Sequence, residues 1–80
     1  MRNHAQIRTA ELRVRLEVVQ EIRDFAKVLG TKYQRDVELA TQEGLQVAIQ
    51  RREGASSAVT ALSALVRRWE DEISRLEKKG

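Results

Sequence analysis

The chain has 80 residues, 34% of them charged, with no cysteine, no proline and three aromatic residues, Phe25, Tyr33 and Trp69. That length allows one small domain burying only about 60% of its unfolded surface; with no disulfide and no Cys/His set for structural zinc, a partner chain is expected to supply the missing stability. The net charge of +3 divides unevenly: residues 1–35 hold eight bases against four acids, residues 36–58 total −2 and the remainder +1, an N-terminal arginine excess that suggests an anionic partner such as nucleic acid.

The longest apolar-leaning run, residues 58–66, is broken by Thr60 and Ser63, short of the about 20 apolar residues of a membrane span. Met1-Arg2-Asn3-His4 leads into no apolar stretch of signal-peptide length. The expectation is a soluble, cytoplasmic, unprocessed protein with no membrane contact.

Residues 1–8 read as a flexible basic arm, with Arg2 and Arg8 either contacting phosphate or the minor groove or belonging to a disordered tail. Next, Glu11-Leu12-Arg13-Val14-Arg15-Leu16-Glu17 alternates charged and apolar without exception. Period two is that of a strand, with Leu12, Val14 and Leu16 on one face and the arginines on the other. Read as a helix, the same residues set Leu12 and Leu16 about 160° from Val14. The preferred reading is a strand over 9–16; the alternative is one long helix over 5–29.

From residue 18, the positions Val18, Val19, Ile22, Phe25, Ala26 and Leu29 mark a helix face, and Gly30 falls where a left-handed C′ glycine would end it. Thr31-Lys32-Tyr33-Gln34 has the form of a capping box opening a second helix, whose stripe of Tyr33, Val37, Ala40, Gly44 and Ala48, with Leu45 and Ile49 alongside, runs to about residue 52. Gly44 inside it costs about 1 kcal/mol against alanine, explained by close approach of another helix or tolerated as a defect. Beyond Gly54, the positions Val59, Leu62, Val66, Trp69, Ile73 and Leu76 step by three and four over three heptads, a seam that needs a partner helix. Ser56 or Ser57 can cap this helix, Lys78 and Lys79 suit its last turn, and Ala58, Ala61 and Leu65 widen its apolar face.

A lone strand must pair with something. The chain offers no second strand, so pairing with its own copy in a two-fold antiparallel ribbon is the economical solution, and such a ribbon fits the major groove of B-DNA. Over residues 9–52, on Leu12-Arg13-Val14-Arg15, the helix ending at Gly30 and the capped helix from Thr31, the chain resembles the ribbon-helix-helix family of DNA-binding proteins (MetJ/Arc/omega-like). It departs from that family in carrying Arg15-Leu16-Glu17 where Pro, Ser or Asp usually joins strand to helix. A short unit of this kind followed by a coiled-coil helix is also similar to Mnt-like repressors, in which the C-terminal helix joins two dimers.

The resemblance implies a mainly α fold with one short strand, a β-α-α intertwined dimer over 9–53, and a C-terminal coiled-coil oligomerisation helix over 55–79. On the ribbon's outer face Arg13 would read guanine O6 and N7 bidentately, a contact of about 1–3 kcal/mol. Thr9 and Glu11 share that face, Glu11 either accepting from cytosine N4 or pairing with Arg13 or Arg15, and Arg15 would read a base or hold a phosphate. Thr31 and Lys32 would point a helix N-terminus at a phosphate, with Thr31 also a structural cap. Val59, Leu62, Val66, Trp69, Ile73 and Leu76 would join dimers into a tetramer.

The function so implied is sequence-specific binding of double-stranded DNA by a repressor of plasmid or phage type. A partition protein, a relaxosome accessory protein or an antitoxin holding its toxin through residues 55–80 would use the same ribbon. The competing expectation is an all-helical coiled-coil interaction protein that binds no nucleic acid. With His4 the only histidine and Gly30, Gly44, Gly54 and Gly80 forming no phosphate loop, no catalytic residue, metal site or cofactor is expected.

Overall fold

The alternation over residues 11–17 is embedded in a longer pattern. Ala5, Thr9, Leu12, Leu16, Val19, Arg23, Ala26, Gly30, Tyr33 and Val37 step alternately by four and three, the spacing that keeps one stripe of a helix facing a partner helix. The computed structural model, which describes residues 3–79, follows that longer period: α1 spans His4–Leu39, α2 spans Gln42–Lys79, and no strand occurs among the described residues. The two helices pack along each other as an antiparallel hairpin, an elongated rod of 62 × 15 × 12 Å.

The strand over 9–16, and with it the ribbon-helix-helix reading and the β-α-α intertwined dimer, is therefore corrected. Leu12 is fully buried, whereas Val14, which a strand would place on the same face, is 63% exposed; that is the near-opposite placement of a helix. Leu, Arg and Glu are all good helix formers, and ten stripe positions at helical spacing outweigh seven residues of period two. An isolated strand also had no partner for its backbone groups, which the helix satisfies internally.

Two further boundaries fall with it. Gly30 does not end a helix: α1 passes straight through it, and no described residue has positive φ. Thr31 caps nothing, since its hydroxyl donates back to the Lys27 carbonyl at 3.2 Å in mid-helix. The capping box that does exist lies at the start of α1, where the Gln6 amide donates to Asn3 Oδ1 at 2.9 Å and the Asn3 amide donates to Gln6 Oε1 at 3.3 Å. Nor does a separate helix run over 31–52 or begin after Gly54; α2 is continuous from Gln42.

Only Ala40 and Thr41 join the helices. Ala40 is extended (φ −69°, ψ 141°) and its amide donates to the Val37 carbonyl at 3.4 Å; the Gly44 amide donates to the Thr41 carbonyl at 3.1 Å. From there Leu45, Ala48, Arg52, Ala55, Val59, Leu62, Val66, Trp69, Ile73 and Leu76 supply the facing stripe of α2. The buried residues, Leu12, Ala26, Ala48, Ala55, Val66 and Ile73, all belong to these two stripes.

Gly30 sits opposite Ala55, and a Cβ at Gly30 would lie 3.8 Å from that of Ala55, ordinary van der Waals contact. At Gly44 and Gly54 an added Cβ would meet nothing within 4 Å, so close approach of a helix is not the reason for Gly44. Gly54→Ala is expected to stabilise the hairpin by about 1 kcal/mol, raising the melting temperature by about 4–8 °C in circular dichroism. Leu12→Ala, which empties the most completely buried position, is expected to cost about 2–5 kcal/mol, read as a fall in the urea midpoint.

Candidate interaction surface

Each residue assigned to DNA from the sequence has a place on α1, apart from Arg2, which lies outside the described residues. Thr9 occupies a seam position, half-buried, its hydroxyl donating to the Ala5 carbonyl at 2.8 Å. Arg8 is half-buried, with Nε 3.2 Å from Glu72 Oε1 of α2 and Nη1 3.6 Å from Glu11 Oε2. Arg13 is exposed and ion-paired to Glu77 of α2. Arg15 and Lys32 are exposed, and Thr31 makes only its own back-bond along the helix. The arginine excess of the N-terminal half thus lies alongside the acids of the C-terminal half, and the pairs Arg8–Glu72 and Arg13–Glu77 offset part of it.

The six seam residues from Val59 to Leu76 face α1 of their own chain. Val66 and Ile73 are buried and Val59, Leu62, Trp69 and Leu76 half-buried. Toward the turn the stripes change character. Ala26, Gly30, Ala48 and Ala55 are small, and Arg23 and Arg52 stand at seam positions. Arg52 Nη1 donates to Gln34 Oε1 at 3.0 Å. Arg23 Nε is buried without a hydrogen-bond partner, 3.6 Å from Asp24 Oδ1. A shallow groove of about 630 Å³ opens here, lined among others by Ala26, Gly30, Gln34, Arg52 and Ala55.

The most distinctive surface was not singled out from the sequence. Ile7, Val14, Val18, Ile22, Phe25, Val28 and Leu39 are all exposed on α1, Phe25 at 63% and Leu39 at 75%. At 100° per residue they fall within an arc of about 120°, turned away from the α1–α2 seam. On α2 the exposed large apolar side chains are only Leu45 and Val47, both near the turn. Elsewhere its outward positions are polar or small, such as Glu53, Ser57, Thr60, Arg67 and Asp71.

The signal for this surface was present in residues 7–28, which carry more apolar positions than one seam can hold. The strand reading absorbed Val14, and the grouping of Val18, Ile22 and Phe25 with Val19 and Ala26 merged two faces into one.

Comparison with known proteins finds no matching family model, curated protein or solved structure. Neither helix is long and apolar enough to cross a membrane, and no group of three or more His, Cys, Asp or Glu side chains among the described residues is placed to hold a metal ion.

Because Arg13 and Glu77 are both exposed, their pairing is worth at most about 1 kcal/mol. Arg13→Ala is accordingly expected to lower the unfolding free energy by about 1 kcal/mol or less, read as a small shift of the urea midpoint.

Proposed function

We propose that the protein is an all-helical interaction module that works by presenting the exposed apolar face of α1 to another protein helix, and that it acts without binding nucleic acid. The observation that carries this reading is the row of seven large apolar side chains on one face of α1, none of them needed for the hairpin seam. An apolar surface of that extent, rimmed by charge, marks a protein contact, and a groove between partner helices reads such a face through anchors spaced as these are. The arginines are less suited to a duplex, since two of the four on α1 nearest its N-terminal end already hold carboxylates of α2. A cytoplasmic setting belongs to the same reading, in keeping with a cysteine-free, highly charged chain.

Two measurements test it. Fluorescence anisotropy with mixed-sequence duplex DNA at low salt is expected to show no binding; binding that falls steeply with salt would overturn the proposal in favour of a nucleic-acid function. In the native cell, a photo-reactive phenylalanine analogue in place of Phe25 is expected to cross-link to protein, while the same group in place of Ser57, on the polar outer side of α2, is not. Absence of any protein adduct at position 25 would refute the module.

A further inference from the structure

The hairpin leaves more surface in water than a chain of its mass ordinarily does. A folded monomer of 9.2 kDa exposes about 4,900 Å². This chain exposes 6359 Å², an excess of about 1,450 Å² over that figure, where a stable interface takes about 800 Å² from each partner. A rod only 15 × 12 Å in section recovers compactness by lying against another rod. Its apolar face is long enough for that, since residues 7–39 at 1.5 Å per residue extend about 48 Å.

We propose that the occupant of this face is a second copy of the chain: two hairpins pair through α1, antiparallel about a two-fold axis at the level of residue 23, to make a four-helix bundle. The inference rests on the interaction-module reading and names its partner.

The distribution of apolar residues selects the pairing. Because the exposed stripe lies on α1, with α2 offering nothing comparable beyond the turn, two copies cover it only stripe to stripe, which is the isologous contact of a two-fold dimer. Charge then selects the direction. Within the stripe and along its edges acids outnumber bases in the first half, Glu11, Glu17 and Glu21 against Arg15, and bases outnumber acids in the second, Lys32 and Arg35 against Asp36. A parallel pair would set Glu11 against Glu11 and Lys32 against Lys32.

An antiparallel pair opposes unlike ends. With the axis at residue 23, positions equidistant from it meet: Ile7 with Leu39, Glu11 with Arg35, Val14 with Lys32, Val18 with Val28. Apolar residues then face each other at Ile7–Leu39 and Val18–Val28, while next to the axis Phe25 meets Glu21 and Ile22 meets Asp24, the carboxylates turned out to water. Of these acids only Glu11 meets a base, Arg35, and the stem of Lys32 can lie along Val14 with its ammonium in water.

Sedimentation equilibrium of the full chain is expected to give twice the 9.2 kDa monomer mass at micromolar concentration. Val18→Glu and Phe25→Glu each put a carboxylate into the dimer contact but stand outside the hairpin seam. Each is expected to weaken dimerisation at least about 100-fold while leaving the helical circular dichroism intact. Glu11→Lys alone is expected to weaken the dimer, and Glu11→Lys combined with Arg35→Glu to restore it. A wild type that stays monomeric up to millimolar concentration overturns the inference, as does a Phe25→Glu variant of unchanged mass; failure of the double reversal to restore the dimer overturns the antiparallel arrangement. The cross-link at position 25 separates the two levels of the argument. An adduct to a different protein with a monomeric wild type sinks self-pairing and keeps the module, whereas no protein adduct sinks both.

Discussion

One contact organises this molecule: the unbroken row of three- and four-residue steps by which α1 and α2 face each other. With Asn3 capping one end and Ala40 and Thr41 closing the other, every other boundary in the chain yields to that row. Gly30 stays helical although glycine costs about 1 kcal/mol there, because the seam runs on to Tyr33 and Val37. The charged and apolar alternation at 11–17 likewise becomes helix, with Leu12 and Leu16 turned to α2 and Val14 to water.

The row is not uniform along its length. At the end that holds both helix termini, Leu12, Leu16 and Val19 of α1 belong to the same stretch of seam as Leu62, Val66, Trp69 and Ile73 of α2, and burial is deepest there. Toward the turn the seam is built from alanine and glycine and interrupted by Arg23 and Arg52. Small residues permit close helix approach but bury little apolar area, and a guanidinium at a seam position trades stability for register. Arg23 Nε, buried and unpartnered, lies where the large apolar side chains give way to small ones. Asp36 and Glu38 in the last turn of α1, with no base among them, add charge of the unfavourable sign for that end of a helix dipole. Stability is therefore concentrated far from the turn.

The exposed stripe on α1 follows from the same geometry. A two-helix rod has room for one seam, and α1 carries apolar residues for two. Its second face is thus not a defect of the hairpin core but surplus to it, and this separation lets the face engage a partner without opening the hairpin. The ion pairs of Arg8 and Arg13 with α2 act in the same direction. They set two arginines of the basic N-terminal stretch against Glu72 and Glu77 of α2, so part of the charge asymmetry visible along the chain is offset in space.

Much of this was open to a reader of the residues alone. The heptad seam over 59–76, the need for something to pack on it and the helical placement of Leu12 and Leu16 opposite Val14 are all contained in spacing, because a helix converts sequence distance into angle. The turn at 40–41 was not legible: Tyr33, Val37, Ala40, Gly44 and Ala48 keep helical spacing straight across it, with no proline to mark the break. What residues 11–17 could not decide by themselves was whether they obeyed period two or period three and a half. Both periods describe those seven residues; the longer stripe of α1 favours the helix, and the facing stripe on α2, more than forty residues away, gives it something to pack on. Only the folded chain brings that stripe alongside, so only the tertiary structure decided that the seam's partner lies in the same chain and that a second apolar face is left in water.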